Sequence, residues 1–242
     1  MLSLIEFVNG FLSFILVLLS FLGAGKILSK YRENRRRDYL FVGISSSVVT
    51  TPWWSASIVF VFSLFMDVNL TLHQHLFSIC LIPIGLIAWI FAFTDFLMAN
   101  KQKSIIILYS IICFLFELVF FYYYITEPSI LGEIHSEIDI AYQNITLIFL
   151  IFVCVNILLT GMYFGFQALY SDNIEVQLKG KMLILGFSSF LFFVILDLIP
   201  TITLLILMIS RIGILISGFF IYIGFILPVW IRNLLLSNRA KK

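Results

Sequence analysis

Seven apolar runs joined by short polar links take up nearly the whole chain, at roughly residues 3–25, 39–65, 75–99, 104–126, 140–168, 182–199 and 203–231. A bilayer core of about 30 Å is crossed by about 20 apolar residues wound as a helix. In hydrocarbon every backbone N–H and C=O needs a partner within its own segment or within a closed barrel. These runs are continuous rather than alternating, so they predict helices and not barrel strands. A mean hydropathy of +1.10 with 12% charged residues excludes an ordinary soluble domain, in which about a quarter of residues are charged. The expectation is an all-α polytopic membrane protein, one seven-transmembrane-helix bundle over residues 1–242, with no room for a soluble catalytic domain beside it.

Cations then orient the bundle. Six of the fifteen Lys and Arg residues fall in one stretch: Lys26, Lys30, Arg32, Arg35, Arg36 and Arg37. Counting alternate links, the same side holds Lys101, Lys103, Lys179, Lys181, Arg232, Arg239, Lys241 and Lys242. The other side carries Asp67, Glu127, Glu133, Glu137 and Asp139 without a cation. Short loops rich in Lys and Arg stay in the cytoplasm. The N-terminus is therefore expected outside the cell membrane and the C-terminus inside. No basic segment precedes the first run and no small-residue cleavage site follows it, so it reads as a retained helix. The link 127–139, with Pro128 and Gly132, is expected to be an ordered cap or a short interfacial helix.

Within the runs, Pro52 lies deep in the second, after Ser45, Ser46, Ser47, Thr50 and Thr51. A Pro there removes a helix hydrogen bond and bends the axis, and neighbouring hydroxyls can satisfy what it frees. Pro52, Trp53, Trp54 and Trp89 are the candidate lining of a cavity, with plain helix packing as the alternative. Four charges are informative: Asp95, Glu117, Asp197 and Arg211. Each costs about 2.5–3.5 kcal/mol at the middle of a membrane helix on insertion scales, so each should face a partner, the bundle interior or water. At about 1.5 Å per residue from the basic side, Asp95 sits about 9 Å deep, and Glu117, Asp197 and Arg211 about 20–28 Å. The last three are expected to form one layer, with Asp197 and Arg211 as an ion pair across the turn Leu198–Thr201 and Glu117 as a second carboxylate. That layer reads as a clamp between spans six and seven, as an anion or amine site, or as a proton relay. Asp95 is expected to pair with the basic links or to belong to a transmission surface.

Several chemistries lack their residues. All eight lysines lie at or beyond the basic boundary, so no cofactor is expected, and in particular no retinal on a Schiff-base lysine. His73 and His75 stand alone, two apart, without the third ligand that zinc needs. Gly-rich phosphate loops, zincin motifs and nucleophile elbows are absent, and Cys80, Cys113 and Cys154 fall inside apolar runs as free thiols. No enzyme and no nucleic-acid partner is expected; the bilayer is the partner the composition demands.

One stretch goes further. Ser171-Asp-Asn-Ile-Glu-Val-Gln177-Leu-Lys179-Gly180-Lys181-Met-Leu-Ile-Leu-Gly186, closing with Asp197, resembles the seven-helix N-terminal region of some histidine kinases. It is more closely similar to archaeal seven-helix proteins of that type, including those of Asgard archaea. Trp89, Phe93-Thr94-Asp95, Lys101-Gln-Lys103, Glu117, Gly161, Phe164, Tyr222-Ile-Gly-Phe and Leu227-Pro228 fit the same pattern, so that the resemblance spans roughly residues 85–232. It implies a sensor or receptor-like bundle in an archaeal plasma membrane. The sequence ends at Lys242 without a kinase domain, so a signal is expected to leave through a separate cytoplasmic partner. The face for that partner would be Lys30, Arg32, Arg35, Arg36, Arg37, Lys179 and Lys181, with Gly180 as a hinge or simply a cap. A small transporter or channel and a structural subunit are the alternatives.

Three crossings separate the basic stretch from the acidic link. In a chain stripped of native cysteines, Asn34→Cys and Ser136→Cys should therefore react with a membrane-impermeant maleimide from opposite faces. Labelling of both from one face would overturn the topology.

Overall fold

The computed structural model describes residues 2–66, 70–198 and 203–237. Asp67, most of the turn between spans six and seven, Arg239, Lys241 and Lys242 lie outside them. Among the described residues seven helices are long and apolar enough to cross a membrane. The first is α1 (Leu4–Asn34). The second is broken into α2 (Arg37–Val48) and α3 (Trp54–Ser63), and the third into α4 (Leu72–Phe77) and α5 (Ile82–Leu97). Then come α6 (Gln102–Thr126), a hairpin of β1 (Gly132–Ile134) and β2 (Ile140–Tyr142), α7 (Asn144–Leu169), α8 (Ile174–Asp197), α9 (Leu204–Ile226) and a short α10 (Val229–Ser237). The chain is a multi-pass, all-α membrane protein with one small two-stranded cap.

Local chemistry sets the ends and breaks. Ser3 and Glu6 form a reciprocal capping box that opens α1, satisfying donors that a helix start leaves bare. Pro52 has no N–H to give, and the second span passes through a tight 3-10 turn at Thr51–Trp53. Ser46, Ser47 and Thr50 turn their hydroxyls back onto carbonyls of the preceding turn. The third span breaks the same way, at a 3-10 turn Ser78–Leu81 ahead of Pro83.

Three links differ from expectation. The basic stretch is mostly helix: α1 runs on to Asn34, and the turn is made by Arg35, in the left-handed region at φ 55°, and Arg36. Lys26, Lys30 and Arg32 ride on the last turns of α1, and Lys179 and Lys181 on the first turns of α8. Helical backbone needs no apolar side chains once it leaves the lipid, so an apolar count misses these extensions. The seventh span ends at Ile226, where Leu227 turns left-handed at φ 45° and Pro228 forbids continuation. Finally, the link 127–139 is a cap, but a strand pair and not an interfacial helix. Gly132 pairs with Tyr142 and Ile134 with Ile140, while Leu131 and Ile138 are fully buried. Ile138 seats the hairpin on Ala56 and Val59 of α3.

The spans close a ring. Neighbours run α6, α5, α2, α1, α9, α8 and α7, with α7 returning to α5 and α6. The third span is apolar all round and lies innermost, 67% of its window buried against 17% for the fourth, as an all-apolar helix should. Trp89 on α5 anchors the middle, its ring 5.4 Å from Phe187 and close to Phe164 and Phe225.

Without a hydrophobic drive between helices in lipid, close crossings depend on small side chains. At the α7–α8 crossing a Cβ on Gly180 would lie 2.7 Å from the Gly165 carbonyl oxygen. Gly180 is thus the contact point of two backbones inside a helix, and neither a hinge nor a cap. Gly180→Ala should lower stability by about 1–3 kcal/mol. Gly218→Ala on α9, where a Cβ meets nothing within 4 Å, should be neutral or stabilising by up to about 1 kcal/mol. Thermal unfolding in detergent compares them; equal effects would mean the α7–α8 crossing is not as close as described.

Candidate functional site

At the end away from the basic links, the starts of α1 and α9, the end of α8 and the Pro52 break converge beneath the hairpin. Arg211, about two turns into α9, is 5% exposed. Its Nε stands 3.1 Å from Asp197 Oδ1 at the last turn of α8. Its Nη2 donates to Asn9 Oδ1 on α1 at 2.9 Å, and its Cζ lies 5.7 Å from the Trp53 ring centre, within reach of a cation–π attraction. Asp197 in turn accepts from Trp53 Nε1 at 3.1 Å and from the Ser210 hydroxyl at 3.0 Å. One carboxylate thereby joins the second, sixth and seventh spans, and Asn9 adds the first. Arg211 Nη1 is buried and makes no hydrogen bond to any described residue.

Arg211, Asp197, Asn9, Pro52 and Trp53 line a cavity of about 420 Å³. Its roof is the hairpin, which supplies His135, Asp139 and Tyr142. The Tyr142 hydroxyl donates to the Pro52 carbonyl at 3.2 Å, so the roof is latched to the break in the second span. Asp139 is half-buried. Burial pushes its carboxyl above the ordinary carboxylate range, while nearby Arg211 pulls it down and Asp197 pushes it up again. Glu6 sits at the rim, accepting from the backbone N–H of Ser3 at 2.8 Å and of Glu137 at 3.3 Å. The floor is apolar, with Ile82, Leu150, Val153, Cys154 and Val194.

The other expected residues lie elsewhere. Glu117 does not join Asp197 and Arg211. It projects from α6, which packs on α5 and α7 and not on α8 or α9, and its neighbours are Cys80 and Cys113. The three share a depth but not a side of the bundle, and depth alone cannot tell the two apart. Trp54 is not in the wall of this cavity; it leans on Phe21 at 5.4 Å and donates to Thr50. Trp89 lines a second, almost wholly apolar cavity of about 370 Å³ between α1 and α9, whose walls include lipid-facing Leu19, Leu22 and Phe219. The two cavities share Val49 and Phe190 as walls.

At the basic end Asp95 is exposed and accepts from Gln102 Nε2 at 3.4 Å instead of forming an ion pair among the described residues. Lys30 is engaged by Glu33, and Arg36 by Asp38 and by the face of Phe96. Lys179 lies close enough to Arg36 and Lys30 to feel both. Arg32, Arg35, Arg37 and Lys181 are exposed and in no salt bridge among the described residues. His75 is fully buried, and His73 sits edge-on to Tyr124. Among the described residues no group of three or more His, Cys, Asp or Glu is placed to hold a metal.

Sequence reasoning missed Asn9, Ser210, Asp139 and Tyr142. Asn9 carried a signal, an amide in the second turn of a largely apolar helix. The hairpin residues carried none, because which helices a loop covers is a matter of tertiary packing.

No family model, curated protein or solved structure matches the chain. Its class is accordingly what the fold defines: a seven-helix, multi-pass membrane protein.

Removing one member of a buried ion pair strands the other, at about 3–5 kcal/mol. Arg211→Ala should reduce folded yield and lower the unfolding temperature far more than the neutral double change Asp197→Asn with Arg211→Gln. Equal behaviour of single and double variants would show that the pair is wetted.

Proposed function

We propose that this is a non-enzymatic, sensor-like membrane protein that takes a small solute into the hairpin-capped cavity and relays its occupancy to a separate partner at the basic end. The reading places the basic end in the cytoplasm, by the distribution of its cations. The observation that carries it is Arg211, buried at the cavity wall with Nη1 left without a partner among the described residues. A buried guanidinium held this carefully is costly as mere packing and well suited to meeting an acceptor on a ligand. The cavity volume falls within the range of about 300–1,000 Å³ typical of small-molecule pockets. The resemblance to the seven-helix region of histidine kinases points the same way, and the exposed Arg32, Arg35, Arg37 and Lys181 offer a partner a cationic face.

A second reading, a small transporter, is favoured by the shared walls Val49 and Phe190, which stack the two cavities in series. Against it, the lower cavity is apolar and opens sideways toward lipid, and the aromatic cluster around Trp89 fills the route beyond.

Cys154, in the floor of the upper cavity, allows occupancy to be imposed. In a Cys80→Ala, Cys113→Ala chain, methyl methanethiosulfonate should modify Cys154 and alter amide hydrogen exchange at least about twofold around residues 30–40 and 171–181. A change confined to the hairpin would sink the relay. Uptake of labelled amines, carboxylates or amino acids into proteoliposomes, above that of protein-free vesicles, would favour the transporter.

A further inference from the structure

The charges of the upper cavity are unevenly committed. Asp197 is taken up by Arg211, Trp53 and Ser210, and Glu6 by the backbone of Ser3 and Glu137. Two groups remain. Arg211 Nη1 is a buried donor with no acceptor among the described residues. Asp139, across the cavity on the hairpin, feels Arg211 yet forms no salt bridge with it among the described residues. One wall therefore offers a positive group with a donor to give, and the roof offers a carboxyl that meets the Ile140 backbone but forms no salt bridge among the described residues. Below them the wall is Ile82, Leu150, Val153 and Val194.

We infer that this cavity takes a small zwitterion with an apolar side chain, of which a free aliphatic amino acid is the simplest, its carboxylate meeting Arg211 and its ammonium meeting Asp139. The inference rests on the reading of the cavity as a ligand site. An amine alone would leave the guanidinium edge unanswered. A carboxylate alone would add a third anion beside Asp139 and Asp197. A zwitterion answers both groups, adds no net charge to a site already rich in carboxylates, and places its apolar part on the apolar floor. It would also bridge the hairpin to α9, so that binding draws the roof onto the bundle.

The test uses the purified full chain carrying Cys80→Ala and Cys113→Ala, with leucine, isoleucine, valine, methionine and phenylalanine as probes. The two halves of leucine, 3-methylbutylamine and 4-methylpentanoate, serve as comparison. At least one amino acid should raise the unfolding temperature with concentration and slow the modification of Cys154. Each half-molecule should bind about tenfold or more weakly, the usual loss for one charge-assisted hydrogen bond. Asp139→Asn, whose folding is checked by its unfolding temperature without ligand, should weaken amino-acid binding about tenfold or more and leave the acid bound as well as before or better. Equal binding of either half, or no shift with any of the five while Cys154 remains reactive, overturns the zwitterion and leaves the pocket standing. If Cys154 reacts no faster than Cys113 does in a Cys80→Ala, Cys154→Ala chain, the pocket reading falls and takes the inference with it.

Discussion

A guanidinium in the interior of a helix bundle must be answered in charge and in hydrogen bonds, because desolvating it costs several kcal/mol. Asp197 and Asn9 supply most of that answer for Arg211, Trp53 and Ser210 hold the Asp197 carboxylate in place, and Nη1 alone is left over among the described residues. Four spans are thereby gathered around one ion pair. The third, fourth and fifth spans have no such centre. They are held by stacked and edge-on rings such as Phe116 on Phe149, 3.7 Å between centres, by apolar side chains from α5, and by neutral hydrogen bonds from Trp89 to Thr160 and from Tyr109 to Asn156. The bundle thus has a buried ion pair on one side, and aromatic packing with neutral hydrogen bonds on the other. The capped cavity lies along the seam between them.

Much of the architecture could be read from residues alone, because lipid leaves few alternatives. Apolar length set the number of spans, and Pro52 marked a real break. The edges were less legible. α1 overruns its apolar run by more than two turns, since Lys26 to Arg32 are good helix formers with nothing to stop them before Arg35. Pro228 did carry a stop signal, and an apolar count through Trp230 ran over it.

The site was legible only in part. Asp197 and Arg211 lie 14 positions apart in the chain, and that proximity made them a natural pair. Glu117 matched them in height and still lies on another side of the molecule. Which way a helix is rotated depends on its neighbours, and a ring order of seven helices is not written in hydropathy. Asp139 was visible only as one more acid in a polar link. Its meaning comes from Leu131 and Ile138, whose burial folds that link down over the helices.

The helix α8 has 24 residues and so is about 36 Å long. Asp197 is its last residue, gripped by Arg211. Near its first turn Glu175 reaches Arg232 on α10, 3.5 Å away, beyond the left-handed kink at Leu227. A stiff rod with an ionic handle at each end behaves as a lever. Any small tilt imposed where Asp197 is held must reappear as displacement at the opposite tip, where α10 is the element best placed to be pushed.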